Sequence, residues 1–216
     1  MDTNKDIKYT AYKMIVEKHI NELPIDSSMF FNSYNILTYA DLIVLFRQTG
    51  ADLDPRKLID IYGDGMAIYN EYYNKYAIFY NAHCRLNTVN WIVAHELGHI
   101  VRNHLDSDNP IITMKTQSPQ QEHECEQFAG FLLCPDTVLS AGHILDKNDI
   151  SETCLIPTSK AALKERVLNM NRFAQLIEDT VDPVSRQMLY NFKAFIKSRR
   201  RANFNEEISE ELCYVS

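Results

Sequence analysis

The sequence contains little glycine and proline, a single tryptophan and no long apolar segment. Its 216 residues include 6 Gly and 7 Pro, which excludes collagen-like and low-complexity organisation because both need larger fractions of these residues. The longest purely apolar stretches, such as Leu42–Phe46, are far shorter than the ~20 residues that span a bilayer. We therefore expect a globular protein with no membrane contact.

Paired cysteines and an excess of positive charge are also missing. The five cysteines are odd in number and include no C-x-x-C pair, which is typical of free thiols in a reducing compartment. Met1–Ile20 lacks the continuous apolar core of a signal peptide, so we expect a cytoplasmic protein. Because 22 Lys+Arg stand against 29 Asp+Glu, the net charge is −7. This acidic balance argues against nucleic acid as the main partner.

Residue periodicity predicts helices along most of the chain and one β-hairpin. Met66–Tyr69 and Lys75–Tyr80 are rich in Ile, Tyr and Phe and flank a polar turn, which indicates two paired strands. Apolar residues at helical spacing predict helices over residues 6–22, from 26, and over 39–48, 57–62, 88–105, 119–133, 149–154, 159–169 and 183–199. We predict an α+β fold that is mostly helical, with a small sheet before the 88–105 helix and a helical C-terminal region.

The most informative motif lies in the predicted 88–105 helix and reads His95-Glu-Leu-Gly-His99, an H-E-x-x-H sequence. Residues four apart on a helix differ by about 40° around its axis and ~6 Å along it, so both imidazoles can reach one Zn²⁺. Glu96 is rotated by about 100° from His95, where it can accept a proton from an attacking water. Gly98 weakens a helix by ~1 kcal/mol relative to Ala, which makes sense if another backbone packs closely there.

The alternative interpretation of this motif is a core helix with two histidines that are satisfied without a metal. Buried His and Glu side chains would then need hydrogen-bond partners. The apolar flank Trp91–Ala94 offers none, so a metal site is favoured.

Two histidines leave one protein ligand to be found. Arg102 and Leu105 stand where the metzincin pattern needs Gly and His, which excludes that class. A downstream carboxylate is the other solution, and Glu122, Glu124 and Glu126 begin the predicted 119–133 helix. A helical wheel brings Glu122 nearest the apolar stripe and Glu124 second, which favours Glu122 without deciding between them. All three could instead be solvated carboxylates at a helix N-terminus.

Neighbouring residues add further candidates without an assignment. His104 lies about 140° around a helix from His99, so we interpret it as a polar residue near the helix end. Cys125 is expected to fill the core, and a thiol close to the metal stays open because it lies three residues from Glu122. Candidates for stabilising an oxyanion are Tyr80, His83 and His123.

From the hairpin onward the chain resembles the ImmA/IrrE family of metallopeptidases. The similarity rests on the apolar run into His95–His99, and on Glu122-x-Glu-Cys-Glu126-x-Phe-Ala followed by Leu-Leu-Cys134-Pro. The family pattern usually has Ala, Asn or Asp, and Met where this chain has Cys125, Glu126 and Cys134. A weaker similarity at residues 156–166 matches the helix-turn-helix-like segment that follows the peptidase part in family members.

This resemblance implies a zincin-like fold and a gluzincin-like metallo-endopeptidase. It implies His95, His99 and Glu122 as Zn²⁺ ligands, with Mn²⁺ as a possible substitute, and Glu96 as the general base. Position 126 in the family often orients a ligand histidine. Family members cleave a helix-turn-helix repressor and thereby derepress genes, so we expect such a partner protein. The implied organisation is a peptidase domain over 1–145, a helical, helix-turn-helix-like region over 146–204, and an acidic flexible tail over 205–216.

A second hypothesis comes from a different functional class. The chain could be a non-catalytic regulator or antirepressor that binds DNA or a repressor and has a structural or vestigial metal site. The 159–169 helix and Arg199–Arg201 support it, whereas the acidic net charge opposes it. For the peptidase, we expect the Lys75–Tyr80 strand to pair with an extended substrate, provided that it has a free edge.

Overall fold

The computed structural model describes residues 3–31, 35–48, 54–112 and 118–202. This part of the chain is mostly helical, with a small sheet, and confirms the predicted α+β class. The strands are β1 (Ile36–Thr38), β2 (Gly65–Asn70) and β3 (Lys75–Tyr80). The α-helices are α1 (Thr3–Glu17), α2 (Tyr39–Gln48), α3 (Pro55–Tyr62), α4 (Leu86–Val101), α5 (Pro119–Leu133), α6 (Asp136–Gly142), α7 (Lys147–Cys154), α8 (Thr158–Val181) and α9 (Pro183–Asn191). No helix in the described ranges is long and apolar enough to cross a bilayer.

The sheet contains the predicted hairpin and one strand more. β2 pairs antiparallel with β3, from Gly65 opposite Tyr80 to Asn70 opposite Lys75. β1 pairs parallel with the other edge of β3, and its three residues are too few to show a periodicity. The strand order is β1-β3-β2. β3 is thus the central strand, and the expectation that it pairs with a substrate is wrong for Ile78–Tyr80, where both edges are occupied.

Helix α4 lies between the sheet and α5, and it contacts both. Trp91, Ala94 and Leu97 of α4 join Phe128 and Leu132 of α5 in the main apolar core. A smaller cluster packs α2 and α3 against the sheet and consists of Tyr39, Leu42, Ile43, Leu58, Met66 and Phe79. Because both sides of α4 are closely packed, its distances to α5 and β2 are fixed. A metal site built between these elements needs such fixed distances.

Three predicted helices end earlier than expected. Helix α1 ends at Glu17 rather than at residue 22. The segment from residue 26 forms only a short 3₁₀-helix, Ser27–Phe30. Helix α4 ends at Val101 rather than at residue 105 because Asn103 adopts a left-handed conformation with φ 56°, which its short polar side chain tolerates. The chain then turns back, and the His104 N–H donates to the His99 carbonyl at 2.9 Å.

The C-terminal helices share the core with the rest of the described chain. α8 extends to Val181, well past the predicted end at 169, and residues 193–202 are helical after a turn at Phe192. Ile150, Ala161 and Met188 belong to the same buried cluster as Ile7 of α1. The division of the chain at residue 145 stays a prediction, and the acidic tail over 205–216 lies outside the described residues.

Candidate metal centre

Helix α4 directs its two motif histidines toward α5 and its motif glutamate toward the sheet. The His95 and His99 rings have centroids 5.1 Å apart. Successive helical residues are about 100° apart, so Glu96 faces β2, where its carboxylate accepts the Ala67 backbone N–H. All three side chains line one cleft with a cavity of about 260 Å³. The helix thus brings together two potential ligands and a potential base.

Helix α5 begins in a way that fixes the position of Glu122. Ser118 caps it: the Gln121 N–H donates to Ser118 Oγ at 3.1 Å, and the Ser118 N–H donates to Gln121 Oε1 at 3.2 Å. This reciprocal arrangement, followed by a proline, sets the first turn of the helix. Glu122 lies in that turn, with Oε2 3.3 Å from His95 Nε2 and Oε1 3.1 Å from His99 Nε2.

Glu122 lies at ligand spacing from each motif histidine. Two ligand atoms bound to Zn²⁺ at ~2.0–2.1 Å in tetrahedral geometry are about 3.3 Å apart, and Glu122 Oε2 and Oε1 are 3.3 Å from His95 Nε2 and 3.1 Å from His99 Nε2, respectively. Glu122 Oε1 is buried beside His99 Nε2. A buried carboxylate needs a cation or a donor next to it, and an ion between Glu122 and the two imidazoles would meet that need.

The charges at the site suit Glu122 as a metal ligand, whereas a metal would have to displace the proton that the nearby carboxylates favour on His95. Burial on its own would raise the pKa of Glu122, but the imidazoles of His95 and His99 outweigh it and lower that pKa to about 2. Burial would lower the pKa of His95, but the surrounding carboxylates, Glu122 foremost, raise it above its ordinary value. Glu122 is therefore ionised at neutral pH, as a metal-binding carboxylate must be.

Glu96 occupies a tight position against β2. Burial raises its pKa above the ordinary value for a glutamate, although the two motif histidines partly oppose this. A Cβ atom on Gly65 would lie 2.3 Å from Ile92 Cγ2 and 3.0 Å from Glu96 Oε1, so only glycine leaves room for the carboxylate. Sequence reasoning missed Gly65, and the scarcity of glycine in the chain was the only available signal.

His104 supports His99 from the side opposite Glu122. The two Nδ1 atoms are 3.2 Å apart, and burial together with nearby His99 lowers the pKa of His104, so His104 is neutral and can accept the His99 N–H. Its Nε2 faces Glu124 Oε2 at 3.6 Å, and Glu124 is held by Arg102 Nε at 3.2 Å. This contact selects the His99 tautomer whose Nε2 is free for a metal. Glu124 is thus buried and ion-paired, not solvated.

Glu126 does not orient His95 through a hydrogen bond. Glu126 Oε1 is 3.7 Å from His95 Nδ1, which is too long for a hydrogen bond. Both Glu126 oxygens instead accept from Lys160 Nζ at 2.7 Å, and this ammonium also lies 5.1 Å from the centre of the Trp91 ring. The acid at position 126 is therefore held by α8. No motif could have indicated Lys160, because it lies 34 residues away from Glu126.

The thiol of Cys125 lies close to both histidines. Ligand atoms of His95, His99 and Cys125 are all within 4.8 Å of one another. Burial raises the pKa of this thiol far above its ordinary value, and a protonated thiol is a poor ligand. Sγ lies 3.6 Å from His104 Nδ1, on the Nδ1 side of His99. A Cβ on Gly98 would be 3.1 Å from Cys125 Cα, which confirms the close backbone approach expected at Gly98.

The candidates for stabilising an oxyanion are not brought to the cleft. Tyr80, His83 and His123 are absent from its lining, whereas Tyr62 and Lys160 belong to it. Tyr62 is the last residue of α3, just before the turn that leads to β2. The rim of the cleft at Gly63 is held by Tyr39, whose hydroxyl donates to the Gly63 carbonyl at 3.0 Å.

Comparison with known proteins agrees with this geometry. The M78 peptidase family model, described as the IrrE N-terminal-like domain, matches residues 48–166, which is more than half of the chain. The matched segment contains His95, Glu96, His99 and Glu122. A comparison with curated proteins gives no match. The mostly helical α+β fold, with its sheet beside the motif helix, is zincin-like, and the chain belongs to the M78 peptidase family, which includes the ImmA/IrrE metallopeptidases that it resembles.

Proposed function

We propose that this protein is a zinc-dependent endopeptidase that hydrolyses a peptide bond in a partner protein. The observation that carries the proposal is the convergence of His95, His99 and Glu122 at 3.1 to 3.3 Å. Glu96 lines the same cleft. A structural site would surround its ion with protein, whereas this site opens into a cavity.

In this proposal His95 and His99 hold the ion through Nε2, and Glu122 holds it through its carboxylate. Two neutral imidazoles and one carboxylate leave a Zn²⁺ site with a net charge of +1, and Mn²⁺ is a possible substitute. A bound divalent ion supplies a Lewis acid that polarises a carbonyl oxygen and lowers the pKa of a water.

The chain's own groups move the proton and orient the substrate. Glu96 accepts a proton from the attacking water and delivers it to the leaving amine nitrogen, a role that suits a carboxylate whose pKa is raised by burial. Tyr62 lines the cleft, and its hydroxyl is the donor that we assign to a developing oxyanion.

The test of catalysis is the substitution Glu96→Gln. We expect this variant to bind Zn²⁺ as the parent does, measured by competition with a chromophoric chelator, and to lose about 10²–10⁴-fold in turnover. Cleavage is followed by mass spectrometry of the partner protein, with and without chelator. Parent-like cleavage by Glu96→Gln would contradict the assignment of the base.

The identity of the third ligand is tested by a matched pair of substitutions. Glu122→Ala should abolish stoichiometric zinc binding, because it removes one of three ligands. Cys125→Ser should retain it, because Sγ lies beside His104 Nδ1, at 3.6 Å. The opposite pattern would assign the site to the two histidines and the cysteine.

We further propose that the substrate is a helix-turn-helix repressor and that its cleavage derepresses genes. The resemblance to the ImmA/IrrE family supports this, and so does charge, because a chain of net charge −7 attracts basic DNA-binding proteins. The experiment incubates the purified protein with a helix-turn-helix protein from a neighbouring gene of the same genome. Cleavage that requires metal and Glu96 supports the proposal, whereas binding without cleavage favours an antirepressor.

The DNA-binding alternative is less favoured, because basic side chains that it needs are engaged within the protein. Lys160 binds Glu126, and Lys164 binds Asp136. Arg199 of the arginine run pairs with Asp149. Such side chains are not free to neutralise phosphates.

A further inference from the structure

A second cavity adjoins the cleft of the candidate metal centre. It has a volume of about 350 Å³, lies between α5 and α8, and shares Trp91, Glu126 and Lys160 with the cleft. This volume falls within the range of pockets that bind small ligands, about 300–1,000 Å³. The Lys160–Glu126 ion pair therefore stands where the two cavities meet.

The walls of this cavity are mostly apolar, and two of the charged side chains that line it, Lys160 and Lys164, are ion-paired. Gly130 of α5 leaves space, because the nearest atom to a Cβ placed there is Trp91 Cη2 at 3.8 Å. Lys164 Nζ lies 4.8 Å from the centre of the Phe131 ring and is bound by Asp136 and by the Gly130 carbonyl. The cavity therefore suits an uncharged, apolar group.

Apolar side chains also surround its opening. Leu163 and Val167 of α8 both line the cavity, and they are 56% and 40% exposed. They are one helical turn apart, so they lie on the same face of α8. Met170, at 83% exposure, continues that face. Large exposed apolar side chains grouped in this way mark a binding surface more often than isolated ones do.

We propose that this α5–α8 cavity binds a large apolar side chain of the substrate, next to the bond that is cut. The inference rests on the proposed peptidase function. We infer the occupant from the fact that the cavity is continuous with the metal cleft. Because Trp91 forms part of both, a polypeptide in the metal cleft can place a neighbouring side chain against the indole. Trp91 is 9% exposed, so its ring forms a wall that both cavities share.

The experiment uses hydroxamates, which anchor to a metal, and the fluorescence of Trp91, the one tryptophan in the sequence. The zinc-loaded protein is titrated with the hydroxamates of N-acetyl-glycine, N-acetyl-leucine and N-acetyl-glutamate. We expect the leucine compound to bind on the order of tenfold or more tighter than the glycine compound, as for burial of a leucine side chain. The glutamate compound should bind no better than the glycine compound. Equal affinities for all three would overturn the proposal and leave the peptidase function intact.

Variants of the cavity separate the side-chain preference from binding to the metal. Gly130→Met fills the cavity and should reduce the leucine preference to about twofold or less, while Gly130→Ala should reduce it less. The double substitution Leu163→Gln/Val167→Gln removes apolar groups from exposed positions, so it tests the same point if Gly130→Met fails to fold. Tyr190→Gln, at a position 72% exposed on α9, is the matched control for loss of a surface apolar group and should keep the full preference.

The remaining outcomes are also decisive. If the two α8 substitutions leave the preference unchanged but alter the sedimentation of the protein, the apolar face of α8 is a contact between copies of this chain and the proposal is wrong. If no hydroxamate binds the zinc-loaded protein, the open metal site of the proposed function fails, and the substrate pocket fails with it.

Discussion

Replacing Gly98 by alanine tests whether the metal site depends on the close approach of α4 and α5. The added Cβ would lie 3.1 Å from Cys125 Cα and 3.2 Å from Cys125 Cβ, whereas ordinary contacts begin at 3.4 Å. The first of these atoms is backbone and cannot rotate away. The two helices must therefore separate by about 0.3 Å or distort, and such overpacking costs about 1–3 kcal/mol.

The expected effect on stability is best measured against Gly130→Ala. Both glycines lie inside helices, so both substitutions gain ~1 kcal/mol from helix propensity, and this gain cancels in the comparison. The Cβ at position 130 would make only an ordinary contact at 3.8 Å. Gly98→Ala should therefore be less stable than Gly130→Ala by about 1–3 kcal/mol. For a chain of this size that is roughly 2–12 °C in the Tm of the metal-free protein, measured by circular dichroism.

The same substitution should weaken zinc binding. Moving α4 away from α5 increases the 3.1 Å separation of His99 Nε2 from Glu122 Oε1, and ligands pulled apart no longer match tetrahedral distances. We expect a lower zinc affinity for Gly98→Ala than for Gly130→Ala in the chelator competition. If the two variants have equal Tm values and equal zinc affinities, the reasoning from this close contact is refuted.

Three further predictions concern the same site. Gly65→Ala places a Cβ 2.3 Å from Ile92 Cγ2 and 3.0 Å from Glu96 Oε1; it should cost about 1–3 kcal/mol by chemical denaturation and lower turnover more than zinc affinity, and parent-like values of both would count against the packing of Glu96. His104→Phe removes the acceptor that holds His99 and should weaken zinc binding by about 10–100-fold. His104→Gln keeps an acceptor and should lose less zinc affinity, and equal losses in the two variants would contradict a role for the hydrogen bond. Zinc at 100 times its Kd should stabilise the parent by about 2.7 kcal/mol, read as a rise in Tm that is absent in His95→Ala, and a rise of the same size in that variant would place the bound zinc elsewhere.

Local signals predicted those elements whose boundaries are set by their own residues. Helix α5 was predicted with its observed bounds, because Ser118, Pro119 and Pro135 mark its ends by local hydrogen bonding and steric exclusion. The hairpin was predicted for the same reason, from two β-rich segments around a polar turn. β1 was missed because a three-residue strand is stabilised by its partner, β3, and not by any pattern of its own. That pairing also makes β3 central and occupies the edge of Ile78–Tyr80 that was expected to bind substrate.

In the candidate site, too, some features were predictable from local sequence and others depended on tertiary packing. The H-E-x-x-H spacing determines that His95 and His99 project together from one helix, because 3.6 residues per turn is a property of the backbone. Spacing could only favour Glu122 over Glu124 and Glu126, because a helical wheel shows which face a residue occupies and not where that helix lies. The packing of α5 against α4 brings Glu122 to the two imidazoles. The tertiary packing also pairs Glu124 with Arg102 and Glu126 with Lys160.

The sequence by itself therefore determined the class of chemistry: two imidazoles and a carboxylate on adjacent turns of one helix, in an acidic, mostly helical chain. Tertiary structure decided how those groups are supported and what surrounds them. The turn at Asn103 brings His104 behind His99, and Gly65 makes room for Glu96. Lys160 lines the cleft and binds Glu126 from α8, a helix distant in sequence. The physical reason is range, because backbone periodicity acts over one or two turns, whereas ligand distances of about 3 Å depend on how whole helices pack.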